Sequence, residues 1–147
     1  MEGKPILVRD LTIGDYDQML RLWKRAELEF RPKGRDSRQA IEAQMRSGCV
    51  FFIGAFEGSL LVGEVVASHD GRKGWINRLA VDPDHRRRGI AKALIEEAER
   101  VLRSRGARIF STLIMDSNNA SKSLFRKCGY SEMEDVKYFS KRDSEEA

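Results

Sequence analysis

Cysteine, histidine and proline are scarce here, with two, two and three residues in a chain of 147. Cys49 and Cys128 lie far apart, with no C-x-x-C pair and no histidine-rich neighbourhood, so neither a disulfide framework nor a zinc set is expected. Both read as small buried hydrophobes rather than nucleophiles. No run approaches the roughly 20 apolar residues of a membrane span. The opening M-E-G-K-P-I lacks the apolar core of a secretory signal. A cytoplasmic protein with no membrane partner is the expectation. Basic residues are not interleaved with exposed aromatics, and no recognition-helix motif occurs, which argues against nucleic acid. Internal repeats and low-complexity tracts are absent.

What is present suffices for one domain. With 41% hydrophobic residues, a chain of this length buries about two-thirds of its unfolded surface. The 27 basic and 23 acidic residues leave a net charge of +4, with a pI near 9.2. Much of the excess is local: Arg86, Arg87, Arg88, Arg103, Arg105 and Arg108 cluster in sequence, so a polyanionic small molecule accounts for them.

The most informative stretch is 75–91, W-I-N-R-L-A-V-D-P-D-H-R-R-R-G-I-A. A strand-like run ends in a proline-containing turn, three arginines and a Gly-x-Ala step, and a helical pattern follows at once. A helix opening directly after a glycine turn leaves its first N–H groups unpaired and exposes its positive dipole end, which suits phosphate. Gly89 and Ala91 allow close backbone approach to a ligand. The stretch is neither a Walker A loop nor the dinucleotide G-x-G-x-x-G.

Along the chain, 6–9 reads as an edge strand. Tyr16, Met19, Leu20, Trp23 and Ala26 fall at helical spacing behind Asp15 as a cap, predicting a helix over 15–29. Ser37 caps a second helix carrying Ala40, Ile41, Gln44 and Met45. The apolar runs 49–56 and 60–67 form a hairpin across Glu57-Gly58-Ser59, and 75–81 follows after the Asp70-Gly71 turn. The helix from Ile90 to the Gly106 stop presents Leu94, Ile95, Ala98 and Leu102 on one face. The strand 108–115 should lie parallel to 75–81, because a helical crossover joins them. A further helix, capped by Asp116, Ser117 or Asn118 and closed by Gly129, turns Ala120, Leu124 and Phe125 inward. A last strand over 132–141 precedes an acidic, frayed end at 143–147. The order β-α-α-β-β-β-α-β-α-β makes an α+β (α/β layer) fold, a central mixed sheet with helices on both faces.

Two segments carry a resemblance. Arg86, Gly89 and Ala91 match the Q/R-x-x-G-x-G/A motif of the GNAT superfamily of acyl-CoA-dependent N-acyltransferases. The segment 118–130, N-N-A-S-K-S-L-F-R-K-C-G-Y, resembles that superfamily's N-x-x-A-x-x-L-Y-x-K-x-G-F at Asn118, Leu124, Lys127 and Gly129. The element order agrees over nearly the whole chain.

The resemblance implies acetyl-CoA as acyl donor, with no metal. It places the pyrophosphate on Arg86, Arg87, Arg88, Gly89, Ile90 and Ala91. The pantetheine arm would lie along the backbone of Leu79, Ala80 and Val81, bordered by Asn118, Ser121 and Phe125. The superfamily tyrosine that faces the coenzyme A sulfur falls at Phe125, which has no hydroxyl. Ser121 and Tyr130 are the candidate proton donors, with Tyr138 a third acting through water; the thiolate, with a free pKa near 8.5, can also leave unassisted. Many members carry a carboxylate where this chain has Asn77 and Arg78. An amine of pKa near 10.4 must lose a proton before attack. Glu64, alone in an apolar strand, is the first candidate base if it faces a cleft. The same pattern is met if Glu64 points to solvent on the outer face of the sheet. Glu29, Asp36, His69 and Asp70 follow as candidates. Glu29, Asn77 and Arg78 are placed on the acceptor side, where Arg78 would favour an acceptor with a carboxylate.

The activity implied is N-acetyl transfer by direct attack in a ternary complex, to a small-molecule amine or amino-acid derivative, or to a peptide or protein N-terminus. The alternative is a non-catalytic coenzyme A-binding sensor or interaction module, which the missing tyrosine and missing strand carboxylate would favour. A homodimer through the last strand is a further expectation.

Overall fold

The computed structural model describes residues 4–147. Strand β1 (Ile6–Asp10) leads to helices α1 (Tyr16–Arg25) and α2 (Arg38–Arg46). Strands β2 (Val50–Glu57), β3 (Leu60–His69) and β4 (Gly74–Val81) follow. Helix α3 (Ile90–Ser104), strand β5 (Phe110–Ser111) and helix α4 (Asn119–Lys127) complete the order. Strands pair in the order in which they occur, antiparallel from β1 to β4, and β5 joins β4 in parallel. The α3 crossover explains that change of direction, since a parallel neighbour cannot be reached by a tight turn.

The sheet is covered on both faces, as the apolar runs of β2 and β3 require. On one face Leu94, Ile95, Ala98 and Leu102 of α3 and Phe125 of α4 pack with Ile53, Ala55, Val65, Ala67 and Ile76. On the other, Met19, Leu22 and Trp23 of α1 and Ile41 of α2 pack with Phe52, Phe56, Leu61 and Ala80. Each such fully buried Leu or Ile contributes about 2 kcal/mol relative to exposure. Gly63 lets α3 come close: a Cβ there would fall 2.8 Å from Cγ2 of Ile90. The first turn of α3 is thereby seated directly on β3.

The Ser37 cap is present, its hydroxyl accepting from the amide of Ala40 at 3.1 Å, and Asn118 caps α4 through the amide of Ser121 at the same distance. Several sequence expectations are corrected. Helix α1 ends at Arg25, well before 29, and Glu27 takes φ 58. Asp15 does not cap α1. Its carboxylate turns back to the amide of Thr12 (2.8 Å) and to Arg9 (2.9 Å), a charged partner that outcompetes the helix amides. Cys49 is exposed rather than buried, because it precedes β2 instead of lying in it. Ala120 is exposed too.

The strand expected over 108–115 contracts to Phe110–Ser111, and 132–141 forms no strand. Beyond Ser111 the chain diverges from β4, leaving no continuous ladder on which a further strand could build. Glu132 is drawn instead to Arg126 (2.8 Å) and Lys122 (3.9 Å) of α4, which ties the start of the C-terminal segment to that helix.

Candidate active site

β4 holds an irregularity where it passes Glu64 of β3. Glu64 of β3 faces Ala80 and Val66 faces Asn77, so Val65 alone stands opposite both Arg78 and Leu79. Arg78 is the extra residue of a β-bulge and takes φ 56, in the left-handed region. An inserted residue reverses the side-chain alternation. Ile76 and Leu79, three positions apart, both reach the α3 core, while Arg78 is turned toward α1.

Over the same residues the other edge of β4 has no paired strand among the described residues. Its pairing with β5 stops at Trp75 opposite Ser111. Beyond that point the side-chain oxygen of Asn77 accepts from the amide of Leu113 at 3.1 Å, so a side chain spans the gap where a ladder would otherwise continue. From Arg78 to Val81, β4 therefore presents a bulged edge to the space between the diverging chains.

On the α1 side of the bulge Glu64 is fully buried and accepts a hydrogen bond from the indole N–H of Trp23. It does not point to solvent: α1 covers it, with one carboxylate oxygen left toward the bulge. Its second carboxylate oxygen and Nε of Arg78 are buried without a hydrogen-bond partner among the described residues. The Arg78 guanidinium lies 4.5 Å from the centre of the Trp23 ring, pairs with Asp36 at 3.3 Å and donates to the carbonyl of Glu29 at 3.4 Å. Asp36, itself buried, also accepts from the amide of Arg31 at 2.6 Å, and its carbonyl accepts from the Tyr16 hydroxyl at 2.7 Å. Burial pushes the Glu64 carboxyl up to about 8, against the opposing effects of the Trp23 bond and of Arg78. Glu29 contributes its carbonyl here; its carboxylate is exposed and pairs with Arg31 at 3.1 Å.

The other base candidates lie elsewhere. Asp70 accepts from the amides of Arg72 and Lys73, each at 2.8 Å, and from Trp75 Nε1 at 3.2 Å. These bonds, the Lys73 amide first, hold its carboxyl down at about 2. His69 accepts from the amide of Gly71 at 2.9 Å. Both residues shape the β3–β4 turn, at the far end of β4 from the bulge.

Past β4 the chain makes the turn that opens α3. Arg86 is extended, Arg87 takes φ 63 and Gly89 takes φ 77. A Cβ on Gly89 would meet nothing within 4 Å, so the turn is open to a ligand. The first bond of the helix runs from the amide of Ala93 to the carbonyl of Gly89 at 3.0 Å. The amides of Ile90, Ala91 and Lys92 therefore have no partner in the preceding turn. Arg86 and Arg87 are exposed and make no ion pair among the described residues, whereas Arg88 is bonded to Glu57 at 2.7 Å.

Phe125, Tyr130 and Leu113 line an open cleft of about 1280 Å³ on the α3 and α4 side of the sheet. Glu64 and the turn are not part of its wall, and neither are Asn118 and Ser121. Phe125 is buried and meets the Tyr130 ring edge to face at 5.0 Å. The Tyr130 hydroxyl donates to Glu99 of α3 at 2.7 Å, and burial with that bond pushes it far above the ordinary phenol range. Ser121 is half-buried in the first turn of α4.

Residues 16–130 match the Acetyltransferase (GNAT) family. The chain belongs to that family. An acetyltransferase of Sodalis glossinidius is 32% identical over 135 residues, covering 92% of this chain and 94% of that protein. One of Pectobacterium atrosepticum is 32% identical over 123 residues, 84% of this chain and 86% of that one. Among solved structures, the fold is shared with an aminoglycoside N-acetyltransferase in complex with CoA (TM-score 0.78, 21% identity, 96% and 97% of the two chains covered). A PaiA N-acetyltransferase of Thermoplasma acidophilum in complex with coenzyme A gives a TM-score of 0.75 at 21% identity, covering 84% and 88%.

Within this GNAT domain, Trp23 and Glu57 are functional candidates that the sequence pattern conceals. Trp23 falls on the apolar stripe of α1 and reads as core. The available signal was chemical: a buried indole N–H needs an acceptor, and a lone carboxylate in an apolar strand needs a donor.

Proposed function

We propose that this GNAT acetyltransferase moves an acetyl group from acetyl-CoA to a primary amine by direct attack in a ternary complex. The acceptor is a small amine or amino-acid derivative, or a protein N-terminus. The bulged, unpaired edge of β4 running into the Gly89 turn carries this reading. An extended ligand arm can add to that edge as a strand would, through the backbone of Leu79, Ala80 and Val81. A diphosphate then meets the free amides at the start of α3, with Arg86 and Arg87 beside it. That two structures of this fold hold coenzyme A supports the same donor.

Acetyl-CoA supplies the reactive thioester. The remaining tasks fall to this chain. A backbone N–H at the bulge polarises the acetyl carbonyl as charge develops there. Glu64 takes the proton of the acceptor amine through water, being the one buried carboxyl among the described residues with an oxygen lacking a hydrogen-bond partner beside the bulge. Phe125 and Tyr130 stand on the opposite side of the sheet from Glu64, so donor and acceptor meet where β4 and β5 diverge. With Phe125 in place of a hydroxyl-bearing residue, the thiolate leaves unassisted or takes its proton from water relayed by Ser121 or Tyr130. Direct attack needs no covalent acetyl carrier, and Cys49 sits beside His69, at the end of the sheet away from the bulge.

The test follows free thiol while the protein is incubated with acetyl-CoA and a panel of amines and peptides. Acceptor-dependent thiol release is expected. Saturable cofactor binding without release across a broad panel would leave a coenzyme A-binding module instead.

A further inference from the structure

The triple arginine is not one cationic patch. His85 and Arg88, on either side of Arg86-Arg87, are both held by a single carboxylate at the end of β2. Oε1 of Glu57 lies 3.3 Å from Nε2 of His85, and Oε2 accepts from Nη1 of Arg88 at 2.7 Å. Arg88 also donates to the carbonyl of Lys4 at 3.1 Å. Behind this pair, Nδ1 of His85 is 3.7 Å from Oδ1 of the buried Asp82. Asp82 is anchored in turn by Arg25 of α1 at 2.8 Å and through its own amide to the carbonyl of Val62 at 2.8 Å. A line of neighbouring polar side chains thus runs Arg25, Asp82, His85, Glu57, Arg88, from α1 across the ends of the sheet to the turn.

The dipeptide that this clamp spans needs holding. Arg87 is left-handed, a conformation that non-glycine residues seldom adopt, and Gly89 two positions later is left-handed as well. Arg86 and Arg87 carry like charge side by side and are exposed. Left free, the turn would relax toward ordinary backbone angles and spread its charges.

We propose that Glu57 is a positioning residue for the phosphates of the acyl donor. Through His85 and Arg88 it fixes both ends of Arg86-Arg87, so that Arg88 is a strut and only Arg86 and Arg87 offer their charge to the ligand. The role rests on the reading that this turn binds the donor's pyrophosphate.

The sign of one substitution distinguishes strut from ligand. Glu57→Gln removes a negative charge next to an anion site. On charge alone coenzyme A should bind as well or more tightly, the more so if Arg88 were a phosphate ligand released from a competitor. A positioning role requires the reverse. Titration of coenzyme A followed by calorimetry should give about tenfold weaker binding for Glu57→Gln, the loss of one charge-assisted contact. Arg88→Glu alone should bind weakly, and the swap Glu57→Arg with Arg88→Glu should recover most of the affinity, since the strut is rebuilt with its charges exchanged. The swap also serves if the single Glu57 variant does not fold. Affinity in Glu57→Gln equal to or above that of the unmodified protein, or a swap as weak as Arg88→Glu alone, overturns the role of Glu57. Failure of the unmodified protein to bind coenzyme A would overturn the phosphate reading itself.

Discussion

Glu64 on β3 accepts a hydrogen bond from the indole of Trp23 on α1, in a layer where Met19, Leu22, Phe52 and Phe56 are also buried. A carboxyl placed so is costly when charged, and burial raises it to about 8. The same bond joins α1 to the strand beside the bulge.

Activity should follow the ionisation of Glu64. At pH 7 most of it is protonated and cannot accept a proton, so kcat/KM should rise with pH through about 8. Glu64→Gln should lose about 100-fold or more at pH 9, and its remaining rate should lack that titration. Stability runs the other way. The carboxyl is raised from an ordinary 4.5 to about 8 in the fold, so its contribution is full below 4.5 and is lost as pH rises through about 8. Glu64→Gln keeps an acceptor for Trp23 and has nothing to ionise. Melting temperatures from pH 5 to 9 should therefore fall more for the unmodified protein than for the variant.

Trp23→Phe tests the partner. It strips Glu64 of its donor and leaves a smaller phenyl ring in place of the indole beneath Arg78. Denaturant unfolding should show a loss of about 2–4 kcal/mol. The Trp23 bond opposes the upward shift of Glu64. Its removal should accordingly move the midpoint of the pH–rate profile higher, a change that loss of packing alone would not produce.

Gly89→Glu addresses the turn. The new side chain meets open space, so the fold should survive with a penalty of about 1–2 kcal/mol for a non-glycine residue at φ 77. Its carboxylate would stand where the diphosphate is placed. Coenzyme A binding should disappear in an equilibrium titration while circular dichroism is retained; unchanged affinity would remove the phosphate site.

Phe125→Tyr restores a hydroxyl at a ring that is buried, yet lines the cleft and touches Tyr130. Turnover should be unchanged or higher above neutral pH, where protonation of the leaving thiolate is slowest. A large loss in steady-state assays would show that this ring does not face the sulfur of the donor.

Much of the fold was legible in the residue pattern because it depends on local periodicity. The 3.6-residue spacing of Leu94, Ile95, Ala98 and Leu102 marks α3, and the apolar runs mark β2 and β3. Ser37 and Asn118 act as caps where their side chains suggest. The expectation failed where formation depends on a partner rather than on the segment. Residues 132–141 have strand-like composition but no strand to pair with, and Asp15 prefers Arg9 to the helix behind it.

The turn that opens α3 was readable for a similar reason: a glycine, a small residue and a following helix create free amides whatever lies around them. By itself, then, the sequence determined the layers, the crossover and the place of the glycine turn that opens α3. Tertiary structure alone decided that Arg78 is a bulge residue turned toward Trp23 and Asp36, that Glu64 is buried against Trp23 of α1, and that Arg88 belongs to Glu57. Side-chain direction at a bulge and the choice among charged partners are set by distances between segments far apart in the chain. No local pattern encodes those distances.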